Sequence, residues 1–231
     1  MGRVWRALAA LGVALLLGGC NIVVSKTPVF FAADGAGAPV LKTGLWLGEK
    51  DDCKFDETQA LAKWPDCADP LFIGPNQIHG VGAKAGRPQP YLIAAGDPAV
   101  IQAQFDINLN TGADASATGN ATASASASAS AKMEGEPPYA FLGIHPLIQD
   151  AQGRVVRMEE WPVMCGPPPP EPKPNTPPDK ARYVTEHPLP GLKIEGQVCT
   201  PNGKAAVLNA ARASRNYGSL QKSHWVREAD R

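Results

Sequence analysis

The side chains that could support catalysis are scattered along this 231-residue chain. A nucleophilic serine of the hydrolase type would need a GxSxG elbow, and the sequence contains none. The histidines show neither the HxH nor the HExxH spacing that metal sites use. We therefore expect no catalytic and no metal site. We interpret the histidines as surface or packed residues: His79, His145, His187 and His224.

Two pairs of adjacent acids, Asp51-Asp52 and Glu159-Glu160, could be mistaken for catalytic carboxylates. Neighbouring side chains of a strand point to opposite faces, so the members of each pair diverge. We interpret both pairs as solvated charges rather than as the acid and nucleophile of a glycosidase. Neither a P-loop nor a dinucleotide-binding glycine motif occurs, so the sequence predicts no cofactor.

Tryptophan is the other residue type with binding chemistry. Aromatic residues make up only 6% of the chain, so a domain of this size needs its tryptophans for packing as much as for binding. Two interpretations of the four tryptophans after residue 19 therefore stay open. They either line an aromatic groove for a glycan or peptide, or form the core of a domain otherwise short of large side chains. The candidates are Trp46, Trp64, Trp161 and Trp225.

The amino terminus has the pattern of a secretory signal. Arg3 and Arg6 precede an apolar run over residues 7–17, and Gly18 and Gly19 follow it. A charged start, a short apolar stretch and small residues at its end are typical of a cleaved signal. A spanning helix needs about 20 apolar residues, roughly twice this run. We therefore predict that residues 1–19 are a signal peptide.

The motif Leu17-Gly18-Gly19-Cys20 resembles the lipobox of bacterial lipoproteins, in which the cysteine thiol receives a diacylglycerol and the signal is cut just before it. The resemblance implies that Cys20 anchors the protein in a membrane and that residues 20–28 are a short tether. It places the domain in the periplasm of the cell envelope. Asn21 stands where an aspartate would resemble an inner-membrane retention signal, so the outer membrane is the expected location.

Lipidation of Cys20 would leave four of the five cysteines, and in an oxidising compartment four cysteines are typical of two disulfides. The pairs lie on either side of a low-complexity stretch, so local pairing, Cys53 with Cys67 and Cys165 with Cys199, is the economical choice among three connectivities. The competing interpretation, a zinc site, lacks close CxxC spacing and nearby histidines.

Composition and charge limit the classes of partner. Without residues 1–19 the chain has 20 basic and 22 acidic side chains and no basic cluster, which argues against nucleic-acid binding. With 23 glycines and 23 prolines it is rich in loops. We expect one globular domain over residues 29–231.

Two segments of this domain have biased composition. Residues 111–135 are rich in alanine and serine, bury little apolar area and are expected to form a loop, with a silk-like strand as the alternative. Residues 166–191 are proline-rich, with eight prolines among residues 167–178, which favours a stiff polyproline-II segment. This segment is either an arm that contacts a partner or a passive spacer.

The remaining pattern predicts an α+β fold, mainly an antiparallel sheet with one C-terminal helix. Residues 139–164 contain two β-rich runs around the turn Asp150-Ala151-Gln152-Gly153, which predicts a hairpin. An alanine-rich helix is expected from Thr200-Pro201 to about residue 217, and its small face would pack on the sheet. A further strand is predicted around residues 224–227.

Gly44-Leu45-Trp46 resembles the GxW tripeptide in the first strand of lipocalins, which are ligand-holding barrels of similar size. The predicted strands are nevertheless short and irregular for a meander of eight long strands. The leading expectation is therefore a lipid-anchored envelope protein, not an enzyme, with a binding or structural role and an envelope protein or glycan as partner. The alternatives are a small-ligand or glycan binder, which would need a concave pocket lined by tryptophans, and a hydrolase.

Overall fold

The computed structural model describes residues 21–82, 86–104, 138–170 and 184–228. This part of the chain contains eleven strands and one α-helix. The strands are β1 (Val24–Ser25), β2 (Gly44–Gly48), β3 (Leu71–Ile73), β4 (Gln77–Gly80), β5 (Gln89–Ala94), β6 (Ala99–Gln104), β7 (Tyr139–Gln149), β8 (Val155–Pro162), β9 (Leu192–Glu195), β10 (Val198–Pro201) and β11 (Gln221–Arg227), and the helix is α1 (Lys204–Ser214).

Eight of the strands close into an antiparallel barrel. Strands β2 to β8 follow one another around the wall in chain order, and β11 fills the gap between β8 and β2. This up-and-down arrangement leaves no free edge in the wall. The mainly antiparallel α+β fold predicted from the sequence is confirmed, and its sheet is a closed barrel of eight strands. Some strands are as short as three residues, such as β3, which is why a regular eight-strand pattern was not visible in the sequence.

The hairpin predicted over residues 139–164 is confirmed as β7 and β8. Gly153 closes its turn in the left-handed region, with φ 75°. Pro146 lies where the register between the two strands shifts, and Pro162 is the last residue of β8. Both positions avoid the loss of a ladder hydrogen bond, because proline has no N–H to donate.

Alternation along the strands divides the barrel into two apolar layers. Ile101 faces Leu142 across β6 and β7, and Trp46 faces Trp225 across β2 and β11, on the inner side of the wall. The inner layer is built from these side chains and their same-face neighbours. Its buried members are Leu41, Trp46, Ile73, Ala99, Ile101, Ala103, Ile144, Val155 and Met158.

Helix α1 packs against the second apolar layer, which lies on the outer side of the barrel wall. Val207, Ala210, Ala211 and Ser214 are buried against the barrel, so the small face predicted from the sequence is confirmed. The helix begins at Lys204 rather than at the predicted Thr200-Pro201. Those two residues instead end strand β10, whose pairing with β9 satisfies backbone groups that a helical first turn would leave open.

Both predicted disulfides are present. The Cα atoms of Cys53 and Cys67 are 5.7 Å apart, and those of Cys165 and Cys199 are 5.6 Å apart. The first bridge closes a loop between β2 and β3. The second is buried under α1 and joins the chain that leaves β8 to strand β10.

The segment expected to be a tether is part of the fold from Asn21 onward. Asn21 is 2% exposed, its side-chain amide donates to Gly166 O at 2.9 Å, and its Oδ1 accepts from the Thr185 N–H at 2.9 Å. Strand β1 then pairs with β7. Residues 21–25 of the predicted tether, residues 20–28, therefore pack into the domain, because their apolar and amide side chains contact it.

A buried glutamine fixes the next residues. Gln102 Oε1 accepts the backbone N–H groups of Val29 and Phe30 at 2.7 and 2.9 Å, and its Nε2 donates to Phe30 O at 3.0 Å. Residues 29–31 form no strand, since these backbone groups bind a side chain instead of a neighbouring strand.

Several predicted segments lie outside the described residues. They are the signal at residues 1–19, the lipidation site Cys20, the whole alanine- and serine-rich segment 111–135, and residues 171–183 of the proline-rich segment 166–191. The described ends of the proline-rich segment meet at the second disulfide, where Leu189 N donates to Cys165 O at 2.8 Å. Within the described residues, no helix combines the length and apolarity needed to cross a membrane.

Candidate functional site

A cavity of about 490 Å³ lies inside the barrel. All eight barrel strands contribute residues to its lining, and most of that lining is apolar. Small residues such as Ala99 and Ala103 on the inner layer leave space that larger side chains would fill. The apolar wall that matters for binding is formed by Trp46, Ile73, Ile78, Ile101, Leu142 and Met158.

The two ends of the barrel differ. Short turns at residues 74–76, 95–98 and 150–154 connect the strands at one end. The long connections, including residues 49–70 with the Cys53–Cys67 disulfide, leave from the other end. The lining extends to Lys50, Asp69 and Ser219 at this long-loop end, which we call the rim.

Glu160 places a carboxyl group on the wall of this cavity. Its register partners, Ile144 on β7 and Gln221 on β11, confirm that it faces the inner side. The side chain is only half-buried by surface area because it borders the void, yet the barrel wall encloses it, and this burial raises the pKa of Glu160 to about 7. Within the described residues, its carboxylate has no hydrogen bond and no ion pair, and burial is the one cause of the raised pKa.

The neighbouring Glu159 behaves in the opposite way. It points outward, where Arg215 Nη2 lies 2.9 Å from its Oε2. The divergence predicted for this acidic pair is therefore confirmed. The interpretation of both residues as solvated charges is wrong, because Glu160 shares the inward face of β8 with Met158 and Pro162, and the Glu159 side chain is 13% exposed and ion-paired.

Two further polar side chains line the cavity beside Glu160. Ser223 on β11 is 5% exposed, and its Oγ has no hydrogen-bond partner in the part of the chain that the structure describes. Gln221, two residues earlier, lies directly opposite Glu160. Strands β8 and β11 thus form a polar strip within an otherwise apolar cavity. We call Glu160, Gln221 and Ser223 the polar strip.

Tyr91 also lines the cavity, from β5, but its hydroxyl group is already hydrogen-bonded within the protein. Its hydroxyl donates to Gly74 O at 2.9 Å, and burial raises the pKa of Tyr91 to about 12. The phenol therefore stays neutral and orients the ring as part of the cavity wall.

The tryptophans do not form one groove. Trp46 is 1% exposed on the inner layer, and its indole N–H donates to Lys42 O at 2.8 Å. Trp225 lies opposite it on β11, donates to Thr43 O at 2.9 Å, and carries the Lys42 ammonium 3.5 Å above its ring. These two tryptophans are brought together at the inner layer, where Trp46 lines the cavity.

The other two tryptophans lie elsewhere. Trp161 borders the cavity, but its indole N–H donates to Ala211 O of α1 at 2.8 Å, so its ring packs between wall and helix. A Cβ at Gly143 would overlap that ring, which explains the glycine there. Trp64 lies on the loop between β2 and β3, against Phe55. The tryptophans thus serve mainly as packing residues, and two of them, Trp46 and Trp161, border the cavity.

The histidines are likewise dispersed. His79 packs on Phe72 at 5.3 Å between ring centroids, and His224 Nε2 lies 3.1 Å from Glu57 Oε2 on the outer side of the barrel. Among the described residues, no group of three histidine, cysteine, aspartate or glutamate side chains could hold a metal ion.

Sequence reasoning missed Glu160, Gln221 and Ser223 as site residues. The alternation along β8 puts Met158, Glu160 and Pro162 on one face, but it does not show which face is the interior. Comparison of the chain with protein-family models, with curated proteins and with solved structures gave no match.

Proposed function

We propose that this protein binds one small apolar ligand inside its barrel and acts without catalysis at the cell envelope. The observation that carries the proposal is the cavity of about 490 Å³, which is lined by all eight strands. This volume falls within the roughly 300–1,000 Å³ typical of small-molecule sites, which are also mostly apolar with a few convergent polar groups.

The size of the barrel supports this function. A barrel of eight strands has an interior just wide enough to be filled by side chains or to hold one small ligand. Gly44-Leu45-Trp46 lies in β2, the first barrel strand, which is where its lipocalin resemblance would put it. A fold does not by itself fix a function, so the proposal depends on the cavity and not on the resemblance.

The envelope location and the lipid anchor belong to the same proposal. They depend on residues 1–19 and on Cys20 in the motif Leu17-Gly18-Gly19-Cys20. An apolar ligand and a membrane-anchored carrier fit together physically, because such a ligand partitions into the bilayer that the anchor reaches. A glycan partner is less favoured, since the four tryptophans do not line up on one open surface.

The test is binding of a neutral apolar dye, N-phenyl-1-naphthylamine, to the purified protein. We expect one bound dye per chain with enhanced fluorescence. Leu142→Trp should fill the cavity and weaken binding at least tenfold. Ile148→Trp, on the same strand but 50% exposed, is the matched control and should bind as the wild type does. Equal binding by wild type and Leu142→Trp, with both folded by circular dichroism, would contradict the proposal.

A further inference from the structure

The polar strip has no function in a purely apolar binding site. A carboxylate without a partner in an apolar cavity is costly, because nothing replaces the hydration it loses. Glu160 is in this situation, and the Ser223 Oγ beside it also lacks a hydrogen-bond partner in the described residues. Buried polar groups without a partner call for an explanation, and a ligand group that pairs with them is one.

The cations of the protein near this wall are engaged elsewhere. Arg215 binds Glu159 on the outer side, and Arg157 forms a two-pronged ion pair with Glu49, with N–O distances of 2.7 and 2.8 Å. Lys222 faces the same outer side as Glu159, its register partner on β8.

Two charged residues also line the cavity at the rim, Lys50 and Asp69. The Lys50 ammonium donates to Cys67 O at 3.1 Å, which holds it on the disulfide loop. Among the described residues, no cation is left to pair with the Glu160 carboxylate, so the ammonium group of a ligand can take the position beside it.

We propose that the ligand is an apolar amine, whose ammonium group binds Glu160 while its hydrocarbon part fills the cavity. This inference rests on the proposed function, and it names the ligand class of the same site. A primary ammonium has three N–H donors, and the polar strip offers three acceptors on two adjacent strands: Glu160, Gln221 and Ser223. A bond between ammonium and carboxylate is charge-assisted and so stronger than a neutral one.

The inference also predicts how the affinity for an amine compares with the affinity for similar ligands. An alcohol of equal length would occupy the same apolar wall but would not neutralise Glu160. A fatty acid would bring a second carboxylate to the strip, and two like charges at short distance disfavour each other. The expected order of affinity is therefore amine, then alcohol, then acid.

The experiment measures displacement of N-phenyl-1-naphthylamine at pH 8 by octylamine, octanol and octanoate. This pH lies above the pKa of Glu160, about 7, so the carboxylate is mostly ionised. In the wild type, octylamine should bind at least tenfold more tightly than octanol. Glu160→Gln should remove that preference, because the amide carries no charge to pair with the ammonium. Glu159→Gln changes the adjacent, outward carboxylate and should keep the preference.

The outcomes distinguish the two proposals. If the dye binds in the cavity but octylamine binds no better than octanol, or if Glu160→Gln keeps the preference for octylamine, the amine inference is wrong and the binding function stands. If Leu142→Trp binds the dye as well as the wild type does, the cavity is not the dye site and both proposals fail.

Discussion

Glu159 and Glu160 show that two adjacent residues of one strand can have very different environments. The outward carboxylate of Glu159 is paired with Arg215 near solvent, while the inward one borders an apolar void. The two residues have the same chemistry and neighbouring backbone positions. The difference in their environments arises from the strand alternation alone.

This contrast predicts a pH-dependent stability. The folded-state pKa of Glu160, about 7, lies above its ordinary value of 4.5, so between these values the folded chain binds more protons than the unfolded chain. The free energy of unfolding should therefore fall as pH rises through this window, by about 3 kcal/mol. At pH 8, Glu160→Gln should be more stable than the wild type, as measured by urea unfolding. At pH 5 this advantage of the variant should be much smaller.

Glu159→Gln is the control for this measurement, because its carboxylate faces the outer side of the barrel and pairs with Arg215. Its stability relative to the wild type should not change in the same way between pH 5 and pH 8. Equal stability differences for Glu160→Gln at both values would show that this carboxyl group is not held in an apolar environment.

Residue-scale prediction from the sequence succeeded where the relevant partner is close along the chain. The bridges Cys53–Cys67 and Cys165–Cys199 span separations of only 14 and 34 residues, so local pairing was the right choice. The role of Glu160 was not predictable. Both faces of β8 carry apolar residues, Met158 on one and Trp161 on the other, and only the pairing with distant strands decides which face is the interior.

At the scale of elements, the two disulfides should differ in their contribution. Removing Cys165–Cys199 with two alanines should lower the free energy of unfolding by about 4 kcal/mol, from the size of the loop that it closes. Both sulfurs are buried under α1, so lost packing adds to this effect. Removing Cys53–Cys67 should cost about 3 kcal/mol. Denaturant unfolding of the two double variants compares them, and a larger loss for Cys53–Cys67 would contradict this ranking.

The proline-rich segment keeps its two interpretations, and its described ends sharpen the test. Thr185 binds Asn21, so residues 184–191 belong to the fold and should be left intact. Replacing residues 171–183 by a Gly/Ser linker of equal length should preserve folding. Affinity capture from the envelope then compares wild type and variant. Loss of a co-purifying protein supports a recognition arm, and equal yields support a spacer.

The helix and the long hairpin were predictable because their signals are local. Alanine spacing identified α1, and the turn around Gly153 identified β7 and β8. The helix start was misplaced because Thr200-Pro201 is equally compatible with a strand end. These two residues belong to strand β10 because they pair with β9.

At the scale of the whole molecule, closure of the barrel could not be predicted from the sequence. It requires β11 to pair with β2, so that Trp225 lies opposite Trp46. These two residues are separated by most of the length of the chain. No local pattern encodes a contact at such separation, and short strands such as β3 weaken the periodicity further. The cavity follows from closure, so it was equally hidden.

Membrane attachment is the remaining prediction at this scale. The place of Cys20 after Leu17-Gly18-Gly19 predicts that the thiol carries a diacylglycerol. Cells fed a radioactive fatty acid should label the wild type, and Cys20→Ala should abolish the label. The same variant should leave the membrane fraction. Labelling that persists in Cys20→Ala would show that the anchor, if any, lies elsewhere.

The burial of Asn21 has a consequence for biogenesis. Its backbone carbonyl accepts from Cys165 N at 2.7 Å, and its side chain is enclosed, so the peptide bond expected to be cut lies one residue from packed structure. A peptidase needs an extended, accessible backbone on both sides of that bond. We therefore propose that the predicted acylation and cleavage at Cys20 precede docking of residues 21–25, so that maturation sets the time of the last stage of folding. In a pulse-chase experiment, the uncleaved precursor should lose residues 21–25 to a protease to which the mature protein is resistant.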